Sequence, residues 1–570
     1  MAAAQTQYQE IMKMDVIKTA LIACIAIVLY YLLLQWPTQA NTPEEAGEIS
    51  SQMPMDSGSE AREIPSQIMI DSGSEDSLSL FETPATVALK TPETKTTLIS
   101  TGRLFVVEND TLLMEVDGLS GRFVSSKLKF VKNSKNGESN LGIFGPTGEN
   151  FYFANSGFFN KSQGYLQPGF TKINSYSGED NSKIYELEGA ASGLIFKRKI
   201  KMYPGKYYLE VEDFIEGGLP GVDVEVTPYV VIERSEEEVE EGGLAYTYLG
   251  PVFSTQEEKY EKYDFDDIDD ANFKIQSPGG WASLIQHYFV SAWVPDQSKS
   301  YLYQARKNLS TGRYAIGYTS SSEFLGVNKG LVSSKNTLYV GPKLPEQLKT
   351  VHPDLDLVVD YGFLWWLGKP MYWLLNLGYD IFKNWGLAII FLTVLLKIVT
   401  WPLSAAAYRS MGKMRVLAPK VKEIQDRHGD DKQKSGQAMM EFYKKEGVNP
   451  LGGCLPMLIQ MPFFLAFYWV LMETVELRHS PFIFWIDDLS AMDPFFVLPL
   501  LNAAGMYYSQ KLTPAPANAD PMQAQMMKFF PLIFAVIFAF FPSGLVLYWL
   551  VNMLVTLFQQ WWYYRKETKA

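Results

Sequence analysis

Residues 529–564 read FFPLIFAVIFAFFPSGLVLYWLVNMLVTLFQQWWYY, 36 residues without a charge between Lys528 and Arg565. A helix needs only about 20 apolar residues to cross a ~30 Å hydrocarbon core. Pro542-Ser543-Gly544 interrupts the run near its middle, and Pro and Gly together mark turns. The stretch is therefore read as two membrane spans joined by a tight turn. Further blocks precede it. Pro494–Gln510 is apolar, Gly447–Met472 is uncharged but contains Pro450, Pro456 and Pro462, and Trp385–Tyr408 holds one charge, Lys397. These blocks predict five spans, and a sixth precedes them at the N-terminus.

Charge is distributed unevenly. From Tyr361 to Ala570 there are 19 Lys+Arg against 14 Asp+Glu, and residues 1–40 balance, so the total of −13 leaves −18 on residues 41–360. No concentrated basic face is available for nucleic acid. Two cysteines cannot staple a disulfide scaffold. His287, His352, His428 and His479 have no metal-ligand spacing, so neither a metal nor another cofactor is expected.

Lys18 is the last charge before Glu44, with the apolar run 19–34 between them. Residues 1–40 are read as an uncleaved transmembrane anchor because the run exceeds a typical signal-peptide core, with a signal peptide cleaved after Thr38-Gln39-Ala40 as the alternative; lysines before the run and glutamates after it put the N-terminus in the cytoplasm. Residues 41–97, rich in Ser, Glu, Pro and Gly, read as a flexible acidic linker. Residues 98–350 change to short alternating strands. Leu194–Tyr203, Pro204-Gly205 and Lys206–Ile215 form one predicted hairpin. Many such strands without intervening helices indicate a β-sandwich. The acidic runs Glu236–Glu241 and Asp264–Asp270 are read as solvated loops.

Tyr361–Phe382 is aromatic and interrupted by Lys369-Pro370. Arg409–Pro450 carries ten Lys+Arg against six Asp+Glu and should be cytoplasmic. If 361–383 crossed the membrane, that loop would share a side with the β domain. The segment is therefore expected to lie along the outer surface as an interfacial amphipathic helix. Within residues 409–446, Met414, Leu417, Val421 and Ile424 follow helical spacing. Gly429-Asp430-Asp431 should break that helix, and a second should follow, giving a cytoplasmic helical hairpin.

Lys397 lies 13 residues past Asn384 and 12 before Arg409, about 18–20 Å from either end of a straight helix. Exposure to lipid at that depth would cost about 2.5–3.5 kcal/mol. Such a charge is expected to face a wet cavity. Thr393, Thr400, Gln460, Asn502, Asn552 and Thr556 are the polar residues on the spans that could share it. A solute or proton-coupled transporter could use the lysine too, although no repeat relates the five spans.

Several stretches carry a closer resemblance: Val359-Asp360-Tyr361-Gly362, Asn384-Trp385-Gly386, Gly429-Asp430-Asp431-Lys432-Gln433, Asn449-Pro450-Leu451-Gly452-Gly453-Cys454, Gln460-Met461-Pro462 and Phe541-Pro542-Ser543-Gly544-Leu545-Val546-Leu547-Tyr548. In this order they resemble the YidC family of membrane-protein insertases. The resemblance implies an α-helical polytopic membrane protein of the bacterial inner membrane. It would have an N-terminal anchor, a five-helix core over 384–570 and a large periplasmic β-supersandwich related in shape to sugar-mutarotase folds. It implies a hydrophilic intramembrane groove with no catalytic residues. Nascent membrane proteins, membrane lipids, the Sec translocon and the ribosome are the implied partners, the ribosome meeting the loops rather than a basic tail. Lys397 occupies the family's groove-arginine position, which keeps the charge but not the planar fork. Thr393 matches a groove threonine, and Trp549 stands where a close relative has tyrosine.

Overall fold

The computed structural model describes residues 103–133, 139–147, 150–217, 224–235, 248–308, 311–326, 330–428, 432–447, 455–512 and 521–567. The expected anchor, the linker, the Glu236–Glu241 run and the Gly429-Asp430-Asp431 turn lie outside these residues.

The hairpin shows how the β domain is made. Leu194–Met202 pairs antiparallel with Tyr208–Gly217, and Gly205 supplies the positive φ of 71° at the turn. Burial alternates along Leu194–Met202, which places Leu194, Phe196, Ile200 and Met202 inside. Arg198 falls on the same inward face. Its cross-strand partner Asp213 accepts its Nε at 2.6 Å, and its other nitrogens donate to Gly121 O and to Ser156 O at 2.7 Å. A buried guanidinium is tolerated when it is paired and hydrogen-bonded in this way.

Repeated pairing builds two sheets. The first runs Leu104–Glu108, Leu112–Asp117, Phe123–Lys132, Asn150–Asn160, Val224–Ser235, Arg313–Thr319, Ser300–Asn308 and Phe273–Pro278, with short strands attached. The second runs Glu261–Lys262, Gly250–Ser254, Trp281–Ile285, Phe289–Pro295, Leu331–Pro342, Tyr208–Gly217, Leu194–Met202, Lys183–Ala191 and Phe170–Ser177. Inward residues of both, including Trp281, Trp293, Tyr303 and Tyr318, share one core. This is the expected sandwich.

The Asp264–Asp270 run departs from expectation. It forms a short helix, α1 (Phe265–Asp270), rather than a solvated loop. Asp264 accepts from Asp267 N, and the Asp267 side chain accepts from Asp264 N. The acids thus supply the capping groups that begin a helix, and Ile268 anchors it in the core.

Helix α2 (Pro345–Val351) leads to α3 (Trp365–Phe382), which continues through Pro370. Gly368, Met371, Leu375 and Gly378 form the buried stripe of α3, while Trp365, Trp366 and Trp373 are exposed. A Cβ on Gly378 would lie 3.0 Å from the Phe391 ring, so a side chain there would push α3 off its neighbour.

Each of the five apolar blocks contributes a helix among the described residues: α4 (Trp385–Val399), then, past two further helices, α7 (Leu455–Glu473), α8 (Val497–Leu512), α9 (Pro521–Phe538) and α10 (Ser543–Glu567). The first block is not one straight helix, however. It breaks at Thr400, and α5 (Trp401–His428) starts at once and runs through the region expected to begin a separate hairpin at Arg409. Pro402 explains the break, since it offers no N–H to the preceding turn. The segments Trp385–Val399 and Ser404–Met414 are bent by 69°. Helix α6 (Lys432–Lys445) packs back on α5, and Val421 of α5 and Met439 of α6 are buried. Met414, Leu417 and Ile424 are partly buried. Among the described residues, Ser543–Arg565 is the one helix long and apolar enough to cross a membrane alone, and the bent pair qualifies together.

Candidate functional site

Lys397 lies in the last turn of α4, three residues before the break at Thr400. Helix C-terminal carbonyls favour a cation there. The residue is 4% exposed, and its Nζ donates to Gln460 Oε1 of α7 at 3.1 Å and to Thr556 Oγ1 of α10 at 3.0 Å. Thr556 in turn donates to Asn552 O at 2.8 Å, so its hydroxyl both gives and receives. Gln460 Nε2 reaches Tyr548 Oη at 3.5 Å. Three helices thus converge on one ammonium.

The other expected residues divide into two groups. Thr393 donates to Ile389 O at 2.6 Å and Thr400 to Leu396 O at 2.9 Å, so both hydroxyls are engaged by their own helix. Asn502 Nδ2 donates to Leu498 O and Val546 O, each at 3.1 Å, which ties α8 to α10. These three are held in packing roles rather than on the ammonium. Asn552 stays near the site, buried, with an Oδ1 that has no partner among the described residues. Trp549 packs edge-on against Phe464 at 4.7 Å, and its Nε1 is likewise unpartnered.

Two polar residues were missed in the sequence. Tyr548 and Gln559 extend Asn552 and Thr556 into a stripe on one side of α10, and both are buried. Gln559 Nε2 and Oε1 have no partner among the described residues. The signal was there, in four polar side chains at spacings of four, four and three residues. Below this stripe, Trp401 Nε1 donates to Tyr563 Oη at 3.0 Å, and Ala405, Tyr408 and Met411 of α5 pack on Tyr563 and Tyr564. The root of the α5–α6 pair is therefore seated on α10.

The opposite end of the bundle meets the β domain. Lys343 and Glu473 form a buried ion pair, and His287 Nε2 meets Met472 O at 3.0 Å. Arg478 donates to Lys132 O at 2.7 Å and Asn133 O at 2.8 Å. One continuous apolar core joins the two parts.

A polytopic helical bundle with a buried cation ringed by polar side chains, carrying a β-supersandwich at one end, defines the class. The family description of the 60Kd inner membrane protein matches residues 377–570, and that of the YidC periplasmic domain matches residues 104–374. The membrane protein insertase YidC of Hahella chejuensis is 39% identical over 580 residues, covering 97% of this chain and 98% of that one. That of Azotobacter vinelandii is 38% identical over 580 residues, covering 98% and 99%. A crystal structure of an active YidC insertase aligns over 80% of this chain and 92% of that one, at 18% identity and a TM-score of 0.38. The chain belongs to the YidC family of membrane protein insertases.

Proposed function

We propose that this insertase receives the polar segment of an incoming membrane protein in a recess around Lys397 and releases its apolar segment sideways into lipid. The observation that carries the reading is the Lys397 ammonium itself, buried where α4, α7 and α10 meet and held by two neutral acceptors rather than a carboxylate. Its charge remains available to an acidic group on a substrate. The unpartnered atoms of Asn552 and Gln559 would hydrate the same region, because buried polar groups are costly without hydrogen bonds.

A polar substrate segment in that recess crosses less hydrocarbon and sheds less hydration. Burial of the apolar segment then supplies the driving force. No bond is made or broken, so the protein acts as an insertase and folding chaperone rather than an enzyme. Thr393, Thr400, Asn502 and Trp549 shape the walls. The proposed topology places the chain in the inner membrane, with both termini and the α5–α6 hairpin cytoplasmic, the β domain periplasmic and α3 along the outer surface. The basic hairpin is the surface for the ribosome, and the Sec translocon is a partner for part of the substrate set. Membership of an insertase family favours this over solute transport.

The test is rescue of a bacterial strain depleted of its own insertase, read as protease protection of a single-span substrate. Growth with correct insertion is expected. Stable expression without rescue would overturn the reading.

A further inference from the structure

The first sheet has a second apolar cluster on the face turned away from the sandwich core: Phe159, Tyr229, Val231 and Ala315, with Tyr165 packed on it. Strand register lays polar side chains beside this cluster in cross-strand rows. One row runs Phe153, Glu233, Ala315, Arg306, and the next runs Asn155, Val231, Gly317, Gln304. Period-two alternation puts both rows on the same face. Two further arginines reach it. The Arg122 guanidinium sits 4.6 Å from the Phe153 ring centre, and that of Arg313 sits 4.3 Å from Phe151. Neither forms an ion pair among the described residues. Three of the six arginines between residues 98 and 350 are gathered here, in the most acidic part of the chain.

The floor of this area is buried and its rim is not. Asn155, Tyr229 and Gln304 are each under 8% exposed, whereas Arg122, Glu233, Arg306 and Arg313 are half-buried. Asn155 Nδ2 donates to Tyr229 Oη at 2.9 Å, but Asn155 Oδ1 and Gln304 Nε2 have no partner among the described residues. The Tyr165 and Tyr229 rings stand 4.7 Å apart. Burial raises the Glu233 carboxyl above its usual value, while Arg122, Arg313 and Arg306 pull it back. Surface arginines that merely cover apolar rings would not need an acid among them or unpartnered amide atoms beneath them.

We propose that this recess binds a small hydroxylated anion, the phosphate ester of a sugar or polyol. Arg122, Arg306 and Arg313 would take the phosphate, since guanidinium forks match its oxygens. Glu233 accepts from ligand hydroxyls, and the Asn155 and Gln304 amides supply the acceptor and donor beneath it. The Tyr165 and Tyr229 rings offer an apolar wall to the ligand's C–H face. The same phosphate ester could arrive free or as a lipid headgroup.

Calorimetric titration of the full chain in detergent with glycerol 3-phosphate and a hexose 6-phosphate tests this, with uncharged hexose as control. Nanodiscs containing or lacking phosphatidylglycerol test the lipid-borne source. The phosphate esters, free or lipid-borne, should bind saturably and more weakly at high salt, and the uncharged hexose should not. Arg122→Gln and Arg313→Gln should each weaken binding at least about tenfold, the loss of a charge-assisted hydrogen bond. Arg313→Lys should fall between Arg313→Gln and the parent. Glu233→Gln should erode the preference for esters over inorganic phosphate. No saturable binding from either source up to about 10 mM would overturn the proposal. So would unchanged affinity in a double Arg122→Gln, Arg313→Gln variant that melts like the parent.

Discussion

Lys343 and Glu473 form an ion pair whose side chains are 1% and 5% exposed, and it fastens the end of the Leu331–Pro342 strand to the last residue of α7. Removing one partner leaves a buried charge alone. Lys343→Ala should therefore destabilise the junction by about 3–5 kcal/mol, whereas the double change Lys343→Met, Glu473→Leu should recover most of the loss. Thermal unfolding in detergent measures both. A Lys343→Ala protein that melts with the parent would show that the pair carries no such load.

His287 meets the same end of α7, and burial lowers its imidazole to about 4. The free value is about 6.5, so between these limits the unfolded chain takes up a proton that the folded chain refuses. Stability should fall as pH drops from 6.5 towards 4 and owe nothing to this group's titration above 6.5. His287→Gln cannot titrate, and it can still donate to Met472 O. Its melting temperature should decline less than the parent's between pH 7 and pH 5; parallel declines would remove His287 from the account.

Trp549 buries an indole N–H that has no partner among the described residues. Trp549→Phe deletes that donor and keeps an aromatic ring against Phe464 and Phe538. It should cost less than about 1.5 kcal/mol, whereas Trp549→Ala should cost about 3–5 kcal/mol through the cavity it leaves. Equal losses in unfolding experiments would mean that the N–H, not the ring, holds the site.

The proposed topology is read directly by fusions. A reporter active only in the periplasm should work after Phe484 and fail after Gln433. The opposite pattern would invert the bundle and place α3 across the membrane.

Much of this was legible because periodicity and charge are local signals. The uncharged run 529–564 gave two helices and their turn, and the seam Met414–Ile424 gave helix α5. Three features were not legible for physical reasons. Thr400–Pro402 sits inside a continuous apolar run, and hydropathy cannot see a backbone break that Pro402 alone announces. Arg198 reads as a surface charge until its cross-strand partner Asp213 is known. Asp264–Asp270 counts as an acidic loop unless the reciprocal Asp264–Asp267 cap is recognised. At the site, polarity alone could not separate Gln460 and Thr556, which hold Lys397, from Thr393 and Thr400, which hydrogen-bond to their own helix.

The central claim is that Lys397 is a charge offered to substrate, and its most direct test is insertion of a single-span substrate whose translocated segment carries an increasing number of acids at fixed length. Protease protection should show Lys397→Arg matching the parent, Lys397→Ala failing progressively as acids are added, and Lys397→Glu failing earlier. Each added acid strengthens an attraction that a low-dielectric recess screens weakly. Equal insertion by the parent and Lys397→Ala across the whole series would contradict the electrostatic account.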